Sequence, residues 1–139
     1  MTRIYIPLNA SGLRSLDADR AVAGAPLLAH AVTEAVRSSA PTAGQDAWEY
    51  TALSDAALTS AGRLTSGERR RIVAAADVPP ELVGSAAPAD AIDESAVSIS
   101  ESVALNRIAS FHVDDADASE DDELLWYDVT ELPAILALL

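Results

Sequence analysis

The sequence predicts an α/β or α+β fold, with a mixed four- to five-stranded sheet and helices packed on it in a two- or three-layer sandwich. Short apolar runs alternate with segments of helical spacing, which is typical of such folds. Of the 139 residues 50% are apolar and only 4% aromatic, so we expect a core of Ala, Val, Leu and Ile. The interval between the predicted strands 95–101 and 110–113 is too short for an ordinary parallel crossover, so at least one antiparallel pair is expected. This length predicts a single domain, residues 1–139.

The first half of the chain supplies strands followed by capped helices. Residues 3–8 form an apolar strand, after which Asn9 or Ser11 can cap a short helix. Residues 27–32 read as a second strand, and Thr33 can cap the helix that follows it. The longest predicted helix runs from Gln45 to Leu64, because apolar side chains recur there at helical spacing. They are Tyr50, Leu53, Ala57, Ala61 and Leu64.

The second half begins with a predicted strand over 69–78, which Pro79 and Pro80 end. A low-complexity linker is predicted at 84–94, then a half-buried strand at 95–101, a single helical turn, and a short strand at 110–113. Ser119 and Asp122 have capping-box spacing, so a helix is expected through ELLWYDV. Pro133 favours a second short helix over the apolar tail.

The stretch HVDDADASEDDE, residues 112–123, is the densest group of potential ligands. It does not form a calcium loop, because Glu120 stands where the loop needs Gly and Trp126 where it needs Glu. The favoured interpretation is a solvated run that leads into the next helix. Asp114 and Asp115 differ from the rest because they follow a strand, where open α/β sheets bind ligands.

His30 and His112 are the only histidines, and each falls in a predicted strand. Should these strands be neighbours, the two histidines with Asp114 and Asp115 would form a catalytic acid/base group. The set of His30, His112 and Asp115 would equally hold a divalent metal. The competing interpretation is that each histidine is a half-buried sheet residue with a satisfied hydrogen bond. No Gly-rich phosphate loop and no G-x-S-x-G elbow occurs.

Three consecutive arginines have two interpretations. Arg69, Arg70 and Arg71 either clamp an anion or pair with the acidic segment, and the excess of acids favours pairing.

Trp126 and Tyr127 are helix neighbours about 100° apart, so one should anchor the core and the other lie at a boundary. With Leu136 of the apolar tail they are the predicted interface residues, although the tail more simply docks on its own sheet.

Charge and composition exclude several partners. The net charge of −13 and nine scattered basic residues, all Arg, argue against nucleic acids and anionic membranes. A GC-rich coding bias and a high-salt source both explain this composition. The chain has no cysteine, begins with no signal peptide and has no membrane-spanning run, which predicts a cytoplasmic location.

Five strings, RIYIP, AHAVTEAV, RRRIVAAADVP, FHVDDAD and LLWYDVTELP, resemble a family of small actinobacterial proteins of unknown function. The resemblance extends from Arg3 to Leu136 and implies a cytosolic bacterial protein with no established chemistry. It assigns no functional residue.

The leading hypothesis is a non-catalytic protein-interaction or regulatory module that acts on a protein partner or as a homodimer. The alternative is a small metal-dependent enzyme or ligand-binding protein that uses His30, His112 and Asp114 or Asp115. The sequence leaves the cofactor and the presence of catalysis open.

Overall fold

A computed structural model of the chain describes residues 1–86 and 93–139. Its strands are β1 (Thr2–Leu8), β2 (Ala21–Val22), β3 (Leu27–Ala31), β4 (Ile72–Val78), β5 (Val83–Ser85), β6 (Ala96–Ile99), β7 (Val103–Ala104), β8 (Ile108–Val113) and β9 (Leu125–Asp128). Its helices are α1 (Ala10–Asp19), α2 (Glu34–Ser39), α3 (Gln45–Gly62) and α4 (Leu132–Leu136). The fold of the described residues is α+β.

Among the described residues, the main sheet has seven strands in the order β5-β6-β3-β1-β4-β8-β9, and β2 pairs with β7 in a separate two-stranded sheet. Every described pairing is antiparallel. The predicted mixed sheet of four to five strands was therefore wrong in number and in kind. Helices α2 and α3 connect β3 to β4, and β1 lies between these two strands in the sheet. Strands β2, β5 and β7 are too short to give a periodic signal.

The predicted helix starts are confirmed by their caps. The Asn9 side chain accepts a hydrogen bond from the Gly12 amide at 2.7 Å, and Thr33 accepts one from the Val36 amide at 3.2 Å. These side-chain acceptors satisfy amides that have no partner inside the first helical turn. They fix where α1 and α2 begin.

Helix α3 forms where predicted, but its buried face differs from the predicted stripe. The helix buries Ala52, Ala56, Ala57 and Ser60, whereas Tyr50 is 54% exposed. The sheet under α3 presents small side chains such as Ala75, so the helix packs closely through its own small residues. Its larger apolar side chains are left at the rim.

The two faces of the main sheet carry different cores. On one face, α1 and α4 cover a large aliphatic cluster around Phe111. On the other, α3 covers Tyr5, Val73 and Ala75. Leu132 and Ile135 of α4 are buried in the larger cluster, so the apolar tail docks on its own sheet, as expected.

The helix predicted from Ser119 through ELLWYDV was wrong, because these residues form turns and then strand β9. The Ser119 amide donates to Asp122 Oδ2 at 2.9 Å and the Asp122 amide to the Ser119 carbonyl at 3.1 Å. This cap-like turn is not followed by a helix. Instead, β9 pairs with β8 over four positions, with Tyr127 opposite Phe111. Cross-strand pairing and burial of Tyr127 outweigh the local capping signal.

Other predicted boundaries shift by a few residues. Residues 69–71 precede β4 and are not part of it, and β8 begins at Ile108, two residues before its predicted start. The single turn after β7 is a 3₁₀ turn at Leu105–Arg107. Of the predicted linker 84–94, Gly84 and Ser85 belong to β5, and residues 87–92 lie outside the described residues.

Candidate functional site

The two histidines lie on the same face of the sheet but far apart. His30 in β3 stands opposite Tyr5, and His112 in β8 stands opposite Val73. Strands β1 and β4 lie between them, which at about 4.8 Å per strand gives a separation of roughly 14 Å. One ion cannot bind both side chains. The combined site of His30, His112, Asp114 and Asp115, and the metal set of His30, His112 and Asp115, are therefore not assembled by this fold.

His112 is a half-buried sheet residue. Its Nε2 lies 3.4 Å from the Ser110 hydroxyl. Burial lowers its pKa, and the positive charge of Arg3 lowers it further. Both effects favour the neutral form of the imidazole.

Asp114 is engaged in a buried ion pair. Arg71 donates from Nε to Asp114 Oδ2 at 2.7 Å and from Nη2 to Oδ1 at 2.8 Å, and the Arg71 amide donates to Oδ2 at 3.0 Å. The guanidinium also donates to the carbonyls of Ser119, Glu120 and Asp122. The predicted pairing of the arginine cluster with the acidic segment is thus confirmed for Arg71, and Asp114 has a structural role.

Beyond Asp114, residues 115–123 form what we call the acidic loop. Asp115 is exposed, and its carboxylate accepts a hydrogen bond from the Ala116 amide at 2.8 Å. The side chains from Glu120 to Glu123 are exposed as well. Because Arg71 binds carbonyls of this loop, it fixes the backbone but leaves these carboxylates facing solvent.

A groove of about 490 Å³ separates α3 from the acidic loop. Tyr50 lies at one side, and its hydroxyl donates to Glu123 Oε1 at 3.2 Å. The helix lines the groove with Tyr50, Leu53, Ser54, Ala57 and Leu58, and the opposite side consists of residues 120–123 of the acidic loop and Leu124. The groove therefore has an apolar wall and an acidic rim.

Strand β9 is an end strand of the sheet, and its two aromatic residues point to opposite faces. Tyr127 packs partly against the larger core. Trp126 stands opposite His112, on the α3 side, and is 62% exposed. One aromatic anchors the core and the other lies outside it, as predicted. Leu136 is half-buried against the core, so it offers little surface to a partner.

We call the exposed and half-buried apolar side chains on the α3 side of this edge the β9 surface. Its members are Trp126, Leu124, Tyr50 and Leu58. Leu58 is 63% exposed, and Leu124 packs partly against the α3 core. The β9 surface borders the groove and the acidic loop.

His30 has two hydrogen-bond partners that the sequence does not predict. Its Nδ1 lies 2.9 Å from Ser95 Oγ, and its Nε2 lies 2.9 Å from Thr59 Oγ1. Ser95 gives its single proton to Asp55 Oδ2 at 2.6 Å, so its oxygen must accept from the Nδ1–H of His30. The Thr59 hydroxyl has one proton, which can serve either Nε2 or the Asp55 carbonyl 3.2 Å away. The hydrogen-bond network thus places a proton on Nδ1.

Burial shifts the pKa values of His30 and Asp55 in opposite directions. It lowers the pKa of His30, an effect that the nearby Asp93 carboxylate opposes and Arg63 reinforces. It raises the pKa of Asp55, against the hydrogen bond from Ser95, and the charges of Asp93 and Glu94 raise it further.

His30, Asp55 and Asp93 bring one ligand atom each within 4.8 Å of one another. We call these three residues the His30 cluster. Asp55 and Thr59 lie one turn apart on α3, next to the buried Ala56. A polar pair beside a buried helix position is the one sequence feature that could have indicated partners for His30. Asp93 carried no such signal, because it lies in the segment that composition marks as linker.

The fold of the described residues defines a small α+β protein with one buried ion pair, Arg71–Asp114. The chain belongs to a family of unknown function (DUF6912), whose model matches residues 2–121. The match includes β1 to β8 and most of the acidic loop but ends before β9 and α4. Neither a curated protein nor a solved structure matches the chain. Within the described residues, no helix has the length and apolar character needed to cross a membrane.

Proposed function

We propose that this protein is a non-catalytic protein-interaction module that binds an extended segment of a partner protein along β9. One observation carries the proposal. Strand β9 ends the sheet, and beside it Trp126 is 62% exposed. An end strand has backbone groups free to pair with an added strand, and pockets beside it select alternate side chains. Exposed tryptophan is a preferred anchor of protein interfaces.

The groove beside β9 favours binding over catalysis. The buried ionised groups next to it, Arg71 and Asp114, are engaged with each other. The groove therefore offers apolar surface and a rim of solvated carboxylates. A partner side chain can fill the groove while its backbone pairs with β9.

Charge indicates what kind of partner fits. The acidic loop borders the groove, and the chain as a whole carries a net charge of −13. A partner segment with apolar and basic residues in alternation would satisfy both the β9 surface and this rim. A second copy of the chain fits less well, because it would bring the same carboxylates to the interface. We therefore expect a basic partner in preference to a homodimer.

We place this interaction in the cytosol of an actinobacterium. The absence of cysteine and the use of arginine as the only basic side chain support that setting.

The test uses a short synthetic peptide of alternating Val and Lys, with a Val–Glu peptide as its control. Isothermal titration calorimetry should show binding of the Val–Lys peptide, weakened by salt, and little binding of the Val–Glu peptide. Trp126→Ser should weaken binding by about 30-fold, which corresponds to a hot-spot loss of about 2 kcal/mol. Leu138→Ser is a matched control, because Leu138 is exposed but lies on the C-terminal tail.

Equal affinity of the wild type and Trp126→Ser would contradict the proposal, as would equal binding of both peptides. Sedimentation of the protein alone tests the homodimer. A dimer that Trp126→Ser dissociates would make a second copy the occupant of β9.

A further inference from the structure

We propose that the His30 cluster binds one divalent transition-metal ion, with zinc preferred over magnesium. The three ligand atoms already lie within 4.8 Å of one another. Ligands of a tetrahedral zinc ion at about 2.0–2.1 Å lie roughly 3.3–3.4 Å apart. The ligand atoms must therefore move closer by at most about 1.5 Å, which side-chain rotation of the two aspartates supplies.

The donor set determines the preferred ion. One imidazole nitrogen and two carboxylate oxygens match zinc, which accepts both donor types. Magnesium prefers an all-oxygen shell and keeps several of its waters. Three protein ligands would leave the fourth position of the zinc ion to water.

Metal binding would leave the hydroxyl partners of His30 satisfied. A ring nitrogen that binds the ion must give up either Ser95 or Thr59. Ser95 retains its hydrogen bond to Asp55 at 2.6 Å. Thr59, once it no longer contacts Nε2, can donate its proton to the Asp55 carbonyl at 3.2 Å. In either case the released hydroxyl still has a hydrogen-bond partner. Metal binding therefore does not incur the free-energy cost of leaving a buried polar group unpaired.

The backbone around the cluster is held in place by hydrogen bonds between elements. Asp93 lies in a turn whose carbonyl accepts from the Ala96 amide at 3.1 Å. The next residues are fixed to β3 and α2, since Ala31 donates to the Ser95 carbonyl at 2.9 Å and Thr33 Oγ1 to the Glu94 carbonyl at 2.6 Å. His30 is itself 1% exposed. The ligands are therefore positioned before an ion arrives, and the half-buried aspartates provide its access from solvent.

Local charge favours a cation at the same point. Asp93 and Glu94 act electrostatically on Asp55, and a divalent ion between Asp55 and Asp93 would offset their repulsion. The His30 cluster is separate from the β9 surface, so the proposed metal site and the proposed peptide binding can each fail without the other.

The experiment is calorimetric titration of the full chain with zinc chloride and, separately, with magnesium chloride. We expect one zinc per chain and binding of magnesium at least tenfold weaker. Asp93→Asn should weaken zinc binding by at least about tenfold, since even outer-shell changes cost 10- to 100-fold. Asp115→Asn removes the same charge from the exposed acidic loop and should leave the affinity within about twofold.

Imidazole NMR locates the ion by a readout that does not depend on the aspartate variants. Zinc should shift the ring resonances of His30, identified by their absence in His30→Gln, and leave those of His112 in place. Failure to bind zinc, equal zinc affinity in Asp93→Asn and Asp115→Asn, or a zinc-dependent shift at His112 alone would overturn the proposal.

Discussion

Arg71 and Asp114 form a buried bidentate ion pair that attaches the acidic loop to the end of the β4–β8 pairing. The Nε–Oδ2 distance is 2.7 Å, and the two side chains are 7% and 5% exposed. The Asp114 amide also donates to the Arg71 carbonyl at 3.1 Å. Because Arg71 binds three carbonyls of the following turns as well, one side chain holds the segment that leads into β9.

Removing one partner of this pair should strongly destabilise the fold. Asp114→Ala leaves the Arg71 charge buried without its counter-ion, so the free energy of unfolding should fall by about 3–5 kcal/mol. Urea denaturation measures the change. Asp115→Asn, one residue away and exposed, should alter the free energy by no more than about 0.5 kcal/mol. Equal effects of the two variants would show that the pair is not a structural anchor.

Ser60 should contribute to stability through two backbone groups that it bridges. Its hydroxyl donates to the Leu8 carbonyl at 2.6 Å and accepts from the Ile72 amide at 2.9 Å. Ser60→Ala leaves both backbone groups buried without this partner, so the free energy of unfolding should fall by about 1–3 kcal/mol. Ser66 is exposed, and Ser66→Ala serves as the control in the same denaturation series. A loss below about 0.5 kcal/mol for Ser60→Ala would contradict this role.

The two aromatic residues of β9 should differ in their effect on stability. Tyr127 packs against the larger core, whereas Trp126 is largely exposed. Tyr127→Ala should therefore cost about 1–2 kcal/mol more in the free energy of unfolding than Trp126→Ala, because it removes more buried apolar surface. Thermal and urea unfolding compare the variants directly. A larger loss for Trp126→Ala would mean that Trp126 is a core residue.

Both histidines should make stability depend on pH in the same direction. Burial lowers the folded-state pKa of His30 and of His112 below the ordinary 6.5. The unfolded chain therefore takes up these protons first as the pH falls, and their contribution is complete above about pH 6.5. It is lost progressively from there down to the folded-state pKa of each group. The raised pKa of Asp55 has the opposite effect on stability.

The measurement is the free energy of unfolding between about pH 7.5 and 5.5. It should fall with the pH in the wild type, and it should fall less steeply in His112→Gln, which lacks one of the two groups. An unchanged slope in His112→Gln would contradict the assignment for that residue.

Local signals in the sequence predicted local structure well. Asn9 and Thr33 have side chains that can accept from free helical amides; the sequence predicts Thr33 as a cap and leaves Asn9 and Ser11 as alternatives, of which Asn9 caps the helix. The strand at residues 27–32 and the docking of the tail on its own sheet are likewise determined by short-range apolar pattern. The charge excess favoured pairing of the arginine cluster with the acidic segment across the surface, whereas the pair that forms, Arg71–Asp114, is buried and joins residues 43 apart in sequence.

Strand order was the main feature that the sequence did not provide. His30 and His112 each lie in a strand, but only the long-range placement of β1 and β4 shows that they are separated. The partners of His30 come from α3 and from the turn before β6, far away in sequence. The Ser119–Asp122 pair shows the opposite failure, since a local capping pattern was outweighed by pairing of β9 with β8.

Hydrogen exchange with the Val–Lys peptide bound tests the central claim most directly. The account predicts that the peptide slows exchange of the β9 backbone amides (Leu125–Asp128), except that of Asp128, which already donates to Glu131 Oε2 at 2.8 Å. The peptide leaves the amides of the opposite edge strand β5, Val83–Ser85, unchanged. Protection at β5 alone, or no protection at β9 under saturating peptide, would contradict it.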